Sequence, residues 1–173
     1  FDENGMKTVA SGTVAGDGSL VLNLYYTPDA DALAYHANGG QGTMAATEGV
    51  TDQVVEVAAN GFERAGYAFV GWNTAADGSG QAYAAGAGYA LTAGDDALFA
   101  QWTPNDGTAY TVNHYKVNAA HTAATLDNAE NLNATTDTVV EATAQTIPGY
   151  TYQPLFDENG MKTVASGTVA GDG

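Results

Sequence analysis

Several short stretches of this chain place apolar residues at every second position. Tyr67–Asn73 alternates, with Tyr67, Phe69 and Gly71 on one side and Ala68, Val70 and Trp72 on the other. Leu33–His36, Val54–Val57, Tyr89–Leu91, Ala97–Trp102, Tyr110–Val117, Asp137–Ala144 and Thr163–Val169 read as further strands, by the same period or by β-branched and aromatic content. Ser19–Tyr26 reads as another, with Leu20, Leu22 and Leu24 in alternation. Turn residues separate these runs: Asn38-Gly39-Gly40, Ala76–Gly80, Pro148-Gly149 and the hairpin signal Asp17-Gly18. Helical spacing is sparse. Phe62–Ala65 reads as one helical turn, and the Ala-, Asn- and Leu-rich stretch Thr122–Thr136 as a short helix. The pattern predicts an α+β chain dominated by strands, with at most one short helix per module.

Two similar segments punctuate the sequence. Thr27-Pro28 follows Tyr25-Tyr26, and Thr103-Pro104 follows Gln101-Trp102; each leads through small polar residues into a new strand. Proline ends ladder pairing and stiffens a linker, so both read as domain boundaries. They divide the chain into residues 1–27, 28–103 and 104–173, and the two modules of a period are roughly 75–80 residues each, a usual size for small domains.

Residues 156–173 repeat residues 1–18 letter for letter, so position 1 recurs at position 156, an offset of 155. Identity over that length reads as a stretch of a tandem array of near-identical units. Residues 1–27 are then expected to be the C-terminal part of a preceding unit of the second kind. Ser19–Tyr26 is the strand expected to return after the Asp172-Gly173 turn, so residues 104–173 are expected to lack their closing strand. An open sheet edge of this kind invites completion by a neighbour.

Composition narrows the function classes. Four Lys and Arg face 20 Asp and Glu, for a formal net charge of −16. Such a chain repels phosphate backbones and anionic lipid, which argues against nucleic-acid and membrane-surface roles. With no cysteine, disulfides and zinc–thiolate sites are impossible. No apolar run approaches a membrane span and no segment reads as a signal peptide, both as expected of a stretch from within a longer array. Isoleucine occurs once, at Ile147, so the ten Tyr, five Phe and two Trp must supply much of the buried area.

Tyr35-His36-Ala37-Asn38-Gly39-Gly40, then Phe62 with Arg64-Ala65-Gly66-Tyr67-Ala68-Phe69-Val70-Gly71-Trp72-Asn73, and finally Leu98-Phe99-Ala100-Gln101-Trp102 follow in order across the first module. In that order and spacing they resemble the internalin-type B repeat, or Listeria–Bacteroides repeat. His36 stands where that family usually has an acidic residue. Tyr110-Thr111-Val112-Asn113-His114-Tyr115, Ile147-Pro148-Gly149-Tyr150, Ser166-Gly167-Thr168-Val169 and the Leu24-Tyr25-Tyr26 of the preceding copy resemble the mucin-binding-protein (MucBP) repeat. The resemblances imply two tandem small β-grasp-like (ubiquitin-like) folds, each a mixed sheet crossed by a short helix, arranged in an elongated Gram-positive surface protein.

Candidate chemistry is thin. His36, His114 and His121 have no metal-ligand spacing, Ser79 sits in a glycine turn, and Gly78–Gly80 and Gly86–Gly88 complete no nucleotide motif. Asp29, Asp31, Asp95 and Asp96 are calcium candidates, although no run has the form of a calcium loop. Lys116, Asn23 and Glu141 are candidates for a Lys–Asn isopeptide bond promoted by an acid; the plainer reading is a solvated Lys116. Trp72 and Trp102 read as core residues, and Tyr25, Tyr26, Tyr150 and Tyr152 as candidates for stacking on sugar faces. No cofactor and no enzymatic activity are expected. The sequence points to a structural repeat, a stalk or spacer of a long extracellular adhesin or fibre, wall-anchored or secreted, that projects a distal binding domain. Its partners are expected to be neighbouring repeats of the same chain. Two alternatives are weak multivalent binding to host mucin or glycans, and head-to-tail or lateral self-assembly by strand complementation.

Overall fold

The computed structural model describes residues 2–171. Its strands are β1 (Asp2–Glu3), β2 (Met6–Lys7), β3 (Ala30–His36), β4 (Thr47–Val50), β5 (Val54–Glu56), β6 (Tyr67–Asn73), β7 (Ala82–Tyr83), β8 (Gly88–Ala90), β9 (Asp96–Pro104), β10 (Thr108–Val117), β11 (Ala124–Ala134), β12 (Val139–Glu141), β13 (Asp157–Glu158), β14 (Met161–Lys162) and β15 (Ser166–Thr168). Among the described residues there is no helix, which corrects the helical part of the expected α+β class. Phe62–Ala65 instead carries a bridge from Glu63 to Gln41 and the start of a turn. Thr122–Thr136 is mostly strand β11, matched residue by residue to β10 with one register shift at His114/Tyr115. The physical reason is that Asn, Asp and Thr offer the backbone rival hydrogen bonds and weaken a helix interior, while β10 beside it presents an unsatisfied ladder.

The ordered heart of the molecule is a five-stranded sheet in the order β4-β3-β9-β6-β7. β9 lies in its middle, parallel to β3 and antiparallel to β6. Along β9 the residues Asp96, Leu98 and Ala100 are buried, and Ala97, Phe99 and Gln101 are half-buried. The antiparallel ribbon β5·β8 contributes Val55 and Tyr89, and Val57 and Leu91 just beyond it join the same cluster with Leu33, Tyr35, Phe62, Trp72, Leu98 and Ala100. Trp72 sits at its centre, with ring centroids 4.9 Å from Tyr35, 5.2 Å from Phe69 and 6.1 Å from Phe62. Its indole N–H donates to Ala58 O at 3.0 Å, so the one polar atom of the ring is satisfied inside the core.

The alternation expected along Tyr67–Asn73 breaks in the middle. The register of β6 against β9 shifts between Phe69 and Gly71, leaving Val70 out of the ladder and exposed. This β-bulge turns Phe69 and Trp72, three positions apart, toward each other edge to face. Gly71 follows the bulge at φ 148°, a conformation that other residues rarely adopt. Two asparagines then hold the loops above the sheet. Buried Asn73 donates to Gly78 O and Gly80 O and accepts from the N–H groups of Ala75 and Gly80. Asn38, at φ 47°, donates to Ala76 O and Ala100 O.

At the lower edge of the cluster, Asp96 is buried yet fully engaged. It accepts from Tyr89 Oη at 2.9 Å, Thr92 N–H at 2.7 Å and Thr92 Oγ1 at 3.0 Å. Burial, reinforced by the bond to Asp96, pushes the Tyr89 phenol from its ordinary value of 10.0 up to about 12.

Residues 104–171 are built differently. They form the long ribbon β10·β11, the pair β12·β15 and the small hairpin β13·β14, with Thr136 and Val169 the buried side chains of that half. Leu126 and Tyr115 on the ribbon and Val139 on β12 are exposed.

Two outcomes follow for the core. Leu98→Ala should lower stability to chemical denaturation by about 2–5 kcal/mol, because it empties a fully buried site at the central strand. Tyr89 should titrate near 12 in an ultraviolet phenolate titration. Its raised value favours the neutral folded form, so this contribution to stability is complete below pH 10 and is lost as the pH rises through about 12. Tyr89→Phe should remove that alkaline step while Trp72 emission stays unchanged.

Candidate functional site

A polar site lies where the two halves of the chain meet. Arg64-Ala65-Gly66-Tyr67 closes a turn through Tyr67 N–H to Arg64 O at 3.0 Å, with Gly66 at φ 75°. Positive φ at the third turn position is the reason glycine stands there. β9 ends at Pro104, opposite Tyr67, so the expected break at Thr103-Pro104 falls at the strand's last residue. Beyond it, Asn105 N–H donates to Gly66 O at 2.8 Å, and Thr136 N–H donates to Asn105 O at 2.8 Å. The linker backbone is thus bonded to the first half on one side and to the second on the other.

Side chains complete the junction. Thr136 is buried and shares a 2.7 Å hydrogen bond with Thr108 between their hydroxyls. Tyr67 Oη donates to the Asp137 carboxylate, while the Arg64 guanidinium lies 3.7 Å above the Tyr67 ring centroid. The Asp137 carboxylate raises the Tyr67 phenol above its ordinary value, chiefly through that hydrogen bond. Backbone meets backbone at two glycines. A Cβ on Gly66 would lie 2.3 Å from Gly171 Cα, and one on Gly171 would lie 2.2 Å from Ala65 O. An open groove lined by Gly66, Asn105, Asp106, Gly107, Thr108 and Gly171 runs along this contact. The sequence reading missed this site. Its only local signals are a glycine in Arg-Ala-Gly-Tyr and another in Ala-Gly-Asp-Gly, and nothing in one dictates that it touches the other.

The sequence candidates scatter across the fold. Asp31 accepts Ala32 N–H at 2.8 Å and leaves Oδ2 buried without a partner; Asp29 offers its carbonyl to Thr51; Asp95 is exposed; Asp96 is engaged by Tyr89 and Thr92. Among the described residues no three His, Asp or Glu side chains converge as a metal cage. His36 stacks on Phe99 at 4.8 Å, His114 lies 3.4 Å from Glu130, and His121 lies 2.7 Å from Glu158. Ser79 is held by Asp77 Oδ1 in a local turn, through its N–H at 3.0 Å and its hydroxyl at 2.6 Å.

Lys116 ion-pairs with Asp127 and lies 5.6 Å from the centre of the Tyr150 ring. Asn23 is bridged to Val9, and Glu141 is exposed on β12. No hydrogen bond or ion pair among the described residues joins Lys116 to either of them. Tyr25, Tyr26, Tyr150 and Tyr152 are all exposed, outside any named strand. Trp102 is half-buried and donates its indole N–H to Ala37 O at 2.8 Å.

Residues 32–101 match the family model described as the Listeria-Bacteroides repeat domain. The match falls on the five-stranded sheet and its Trp72 cluster, and it supports the resemblance read in the first module. A protein of Evansella cellulosilytica named "Putative membrane protein" is 29% identical over 125 residues, covering 64% of this chain and 19% of that protein. The chain therefore spans a small part of that relative's length. No solved structure matches. No helix among the described residues is long and apolar enough to cross a membrane.

The junction makes a direct prediction. Nitroxides on Ser79→Cys and Leu155→Cys, one in each half of a chain with no native cysteine, should report a single narrow distance distribution. Gly66→Val and Gly171→Val should each broaden it severalfold without altering Trp72 emission. Tyr67→Phe should broaden it less. The Tyr67–Asp137 bond favours the neutral phenol, so its contribution is complete below pH 10 and lost as the pH rises through the raised folded value. Broadening should therefore appear on the alkaline side in the labelled chain that keeps Tyr67 and be absent as a pH step in Tyr67→Phe.

Proposed function

We propose that this chain is a structural repeat of a long cell-surface or extracellular protein, a stalk that holds a distal binding domain away from the cell. The junction is the observation that carries this reading. A flexible tether leaves its linker backbone unbonded, whereas the exposed Asn105 here bonds both halves through its backbone and two glycines let their backbones touch. Hydrogen bonds on both sides of a three-residue connection oppose bending at the point where a tandem protein would otherwise hinge. The 155-residue recurrence of residues 1–18 supports repetition of the same joint along an array. Net negative charge supports mutual repulsion between neighbouring stalks in solution.

Residues 28–103 are proposed as a β-grasp-like B-repeat module, supported by the family match over residues 32–101 and by the parallel β3·β9 pair within a mixed sheet. Residues 104–173 are proposed as a MucBP-like module alternating with it, on the strength of the motifs quoted above, with residues 1–27 the end of a preceding one. The stalk has no catalytic role in this reading. A module of this size adds about 30–40 Å by the scaling of compact domains.

A second reading rests on the exposed rings of Tyr150 and Tyr152, two residues apart, with Lys116 beside the first. Such rings offer a face for weak, repeated glycan contact.

One series separates the two. For chains of one, two and three periods, the maximum dimension from small-angle scattering should grow in proportion to the number of periods. Growth closer to the square root of that number would mean a flexible string and would overturn the stalk. On mucin-coated surfaces the same three chains should give no saturable binding. Binding that strengthens steeply from one period to three would replace the spacer with the glycan reading.

A further inference from the structure

Chain precedes and follows the five-stranded sheet, so a pull along the molecule enters it at Ala30, the first residue of β3. The pull leaves at Pro104, the last residue of β9. These two strands are direct neighbours and run parallel, with Leu33 opposite Asp96, Tyr35 opposite Leu98 and His36 opposite Phe99. Parallel neighbours start at the same end of a sheet, so the points of entry and exit lie at opposite ends of one seam. Such a pull slides β3 along β9 and loads the cross-strand hydrogen bonds together. A pull on the same end of two paired strands instead peels them and breaks the bonds in succession. The β10·β11 ribbon is open to peeling, because Thr108 and Ala134 face each other at its end.

The seam is longer than its ladder. Just past β3, Asn38 donates its side-chain amide to Ala100 O at 2.8 Å, and Trp102 donates its indole N–H to Ala37 O at 2.8 Å. Both bonds join the turn after β3 to β9 beyond Phe99, where backbone pairing of the two strands stops. The turn is shaped to receive them. Asn38 and Gly39 hold φ 47° and 90°, and Gly40 N–H closes back on Ala37 O at 3.0 Å. A Cβ on Gly40 would lie 2.8 Å from Trp102 Cζ2 and 3.0 Å from Glu63 O, a clash that glycine avoids. Leu33 and Tyr35 of β3 share one buried cluster with Leu98 and Ala100 of β9, so sliding must also drag close-packed side chains past one another. β6 pairs with β9 from Phe99 to Pro104, which holds the exit half of that strand on its other side.

We infer that residues 28–104 bear tension: β3 and β9 form a clamp loaded in shear, and Asn38, Gly40 and Trp102 are positioning residues that lengthen it past the ladder. The inference deepens the stalk reading and rests on it for the source of the pull, since a stalk held at the cell and bound at its tip carries load through every module between. It adds a property that reach alone does not require, namely that the module stays folded while it is pulled. Residues 108–171 lie outside this load path.

Force spectroscopy on the whole chain tests the direction of loading. The chain has no native cysteine, so handles can be set by paired substitutions. Thr27 is exposed, and a Cβ at Gly94 or Gly107 would meet nothing within 4 Å. Thr27→Cys with Gly107→Cys loads the seam in shear. Thr27→Cys with Gly94→Cys pulls the starts of β3 and β9 apart and peels the same seam from one end. Forced unfolding is governed by the unfolding barrier, so at equal pulling speed the shear pair should give way in one step, at a force severalfold above that of the peel pair. Trp102→Phe keeps the ring, and Asn38→Gly keeps the positive φ. Each should lower the shear force and leave the peel force unchanged, because peeling starts at the opposite end of the seam. A variant that merely destabilised the module would lower both. Trp72 emission checks that each chain is folded. Equal forces in the two directions, a shear force below the peel force, or variants that change both forces alike or neither would each overturn the inference. Scattering measures length without load, so failure of the clamp and failure of the stalk are distinguishable.

Discussion

Trp72 is the residue around which the ordered part of this protein is organised. The chain has few aliphatic side chains to bury, so ring packing adds to the Leu and Val of the core. Tyr35 from β3, Phe62 from the connection before β6, and Phe69 from β6 itself all meet the Trp72 ring. Large rings remove much apolar surface per residue and prefer tilted or edge contacts, which is how these three are arranged. The bulge at Val70 is a consequence of that demand. Strict alternation would send Phe69 and Trp72 to opposite faces, and the extra residue brings them to the same one.

The central strand β9 passes the order of this cluster to the junction. Its residues Leu98 and Ala100 are locked in the core, and its last residue, Pro104, pairs with Tyr67. Tyr67 and Gly66 in turn hold Asp137 and the Asn105 backbone. The second half has almost no core of its own, and its two buried residues among those described, Thr136 and Val169, are in or next to this contact. Val169 O accepts from Asp137, the residue that meets Tyr67. A half that is short of apolar burial is thereby anchored by hydrogen bonds to a half that is well packed. Close backbone approach at Gly66 and Gly171 leaves little room for rocking, which is the mechanical property a spacer needs.

The duplicated segment separates local from tertiary control within one molecule. Both copies form the same Asn-Gly hairpin: Asn4 and Gly5 have φ 51° and 79°, Asn159 and Gly160 have φ 50° and 80°, and the flanking residues pair in the same register. This turn is encoded by its own six residues, since Asn-Gly tolerates the positive φ that a tight hairpin requires. A few positions further on the copies part. Val14 is 81% exposed and its counterpart Val169 is 3% exposed, because only the latter lies against the Thr135–Thr138 turn and β12.

The same division runs through the whole chain. Its sequence alone determined the strands Tyr67–Asn73 and Tyr110–Val117, the turn glycines, the aromatic core position Trp72, and the tandem period, because each is written in periodicity, turn chemistry or literal recurrence. It did not determine the state of Thr122–Thr136, whose composition permits a helix and whose strand exists because β10 lies alongside. Ser19–Tyr26 shows the converse: its alternation is that of a strand, yet in this structure it makes a single bridge at Asn23, since a strand forms only where a ladder partner is present. The junction was equally beyond reach. Gly66, Asn105, Asp137 and Gly171 lie far apart in the sequence, and each is an ordinary turn residue in its own neighbourhood. Only the tertiary structure decided that they meet, because contact between distant turns depends on where the core sets β6 and β9 and not on any local preference.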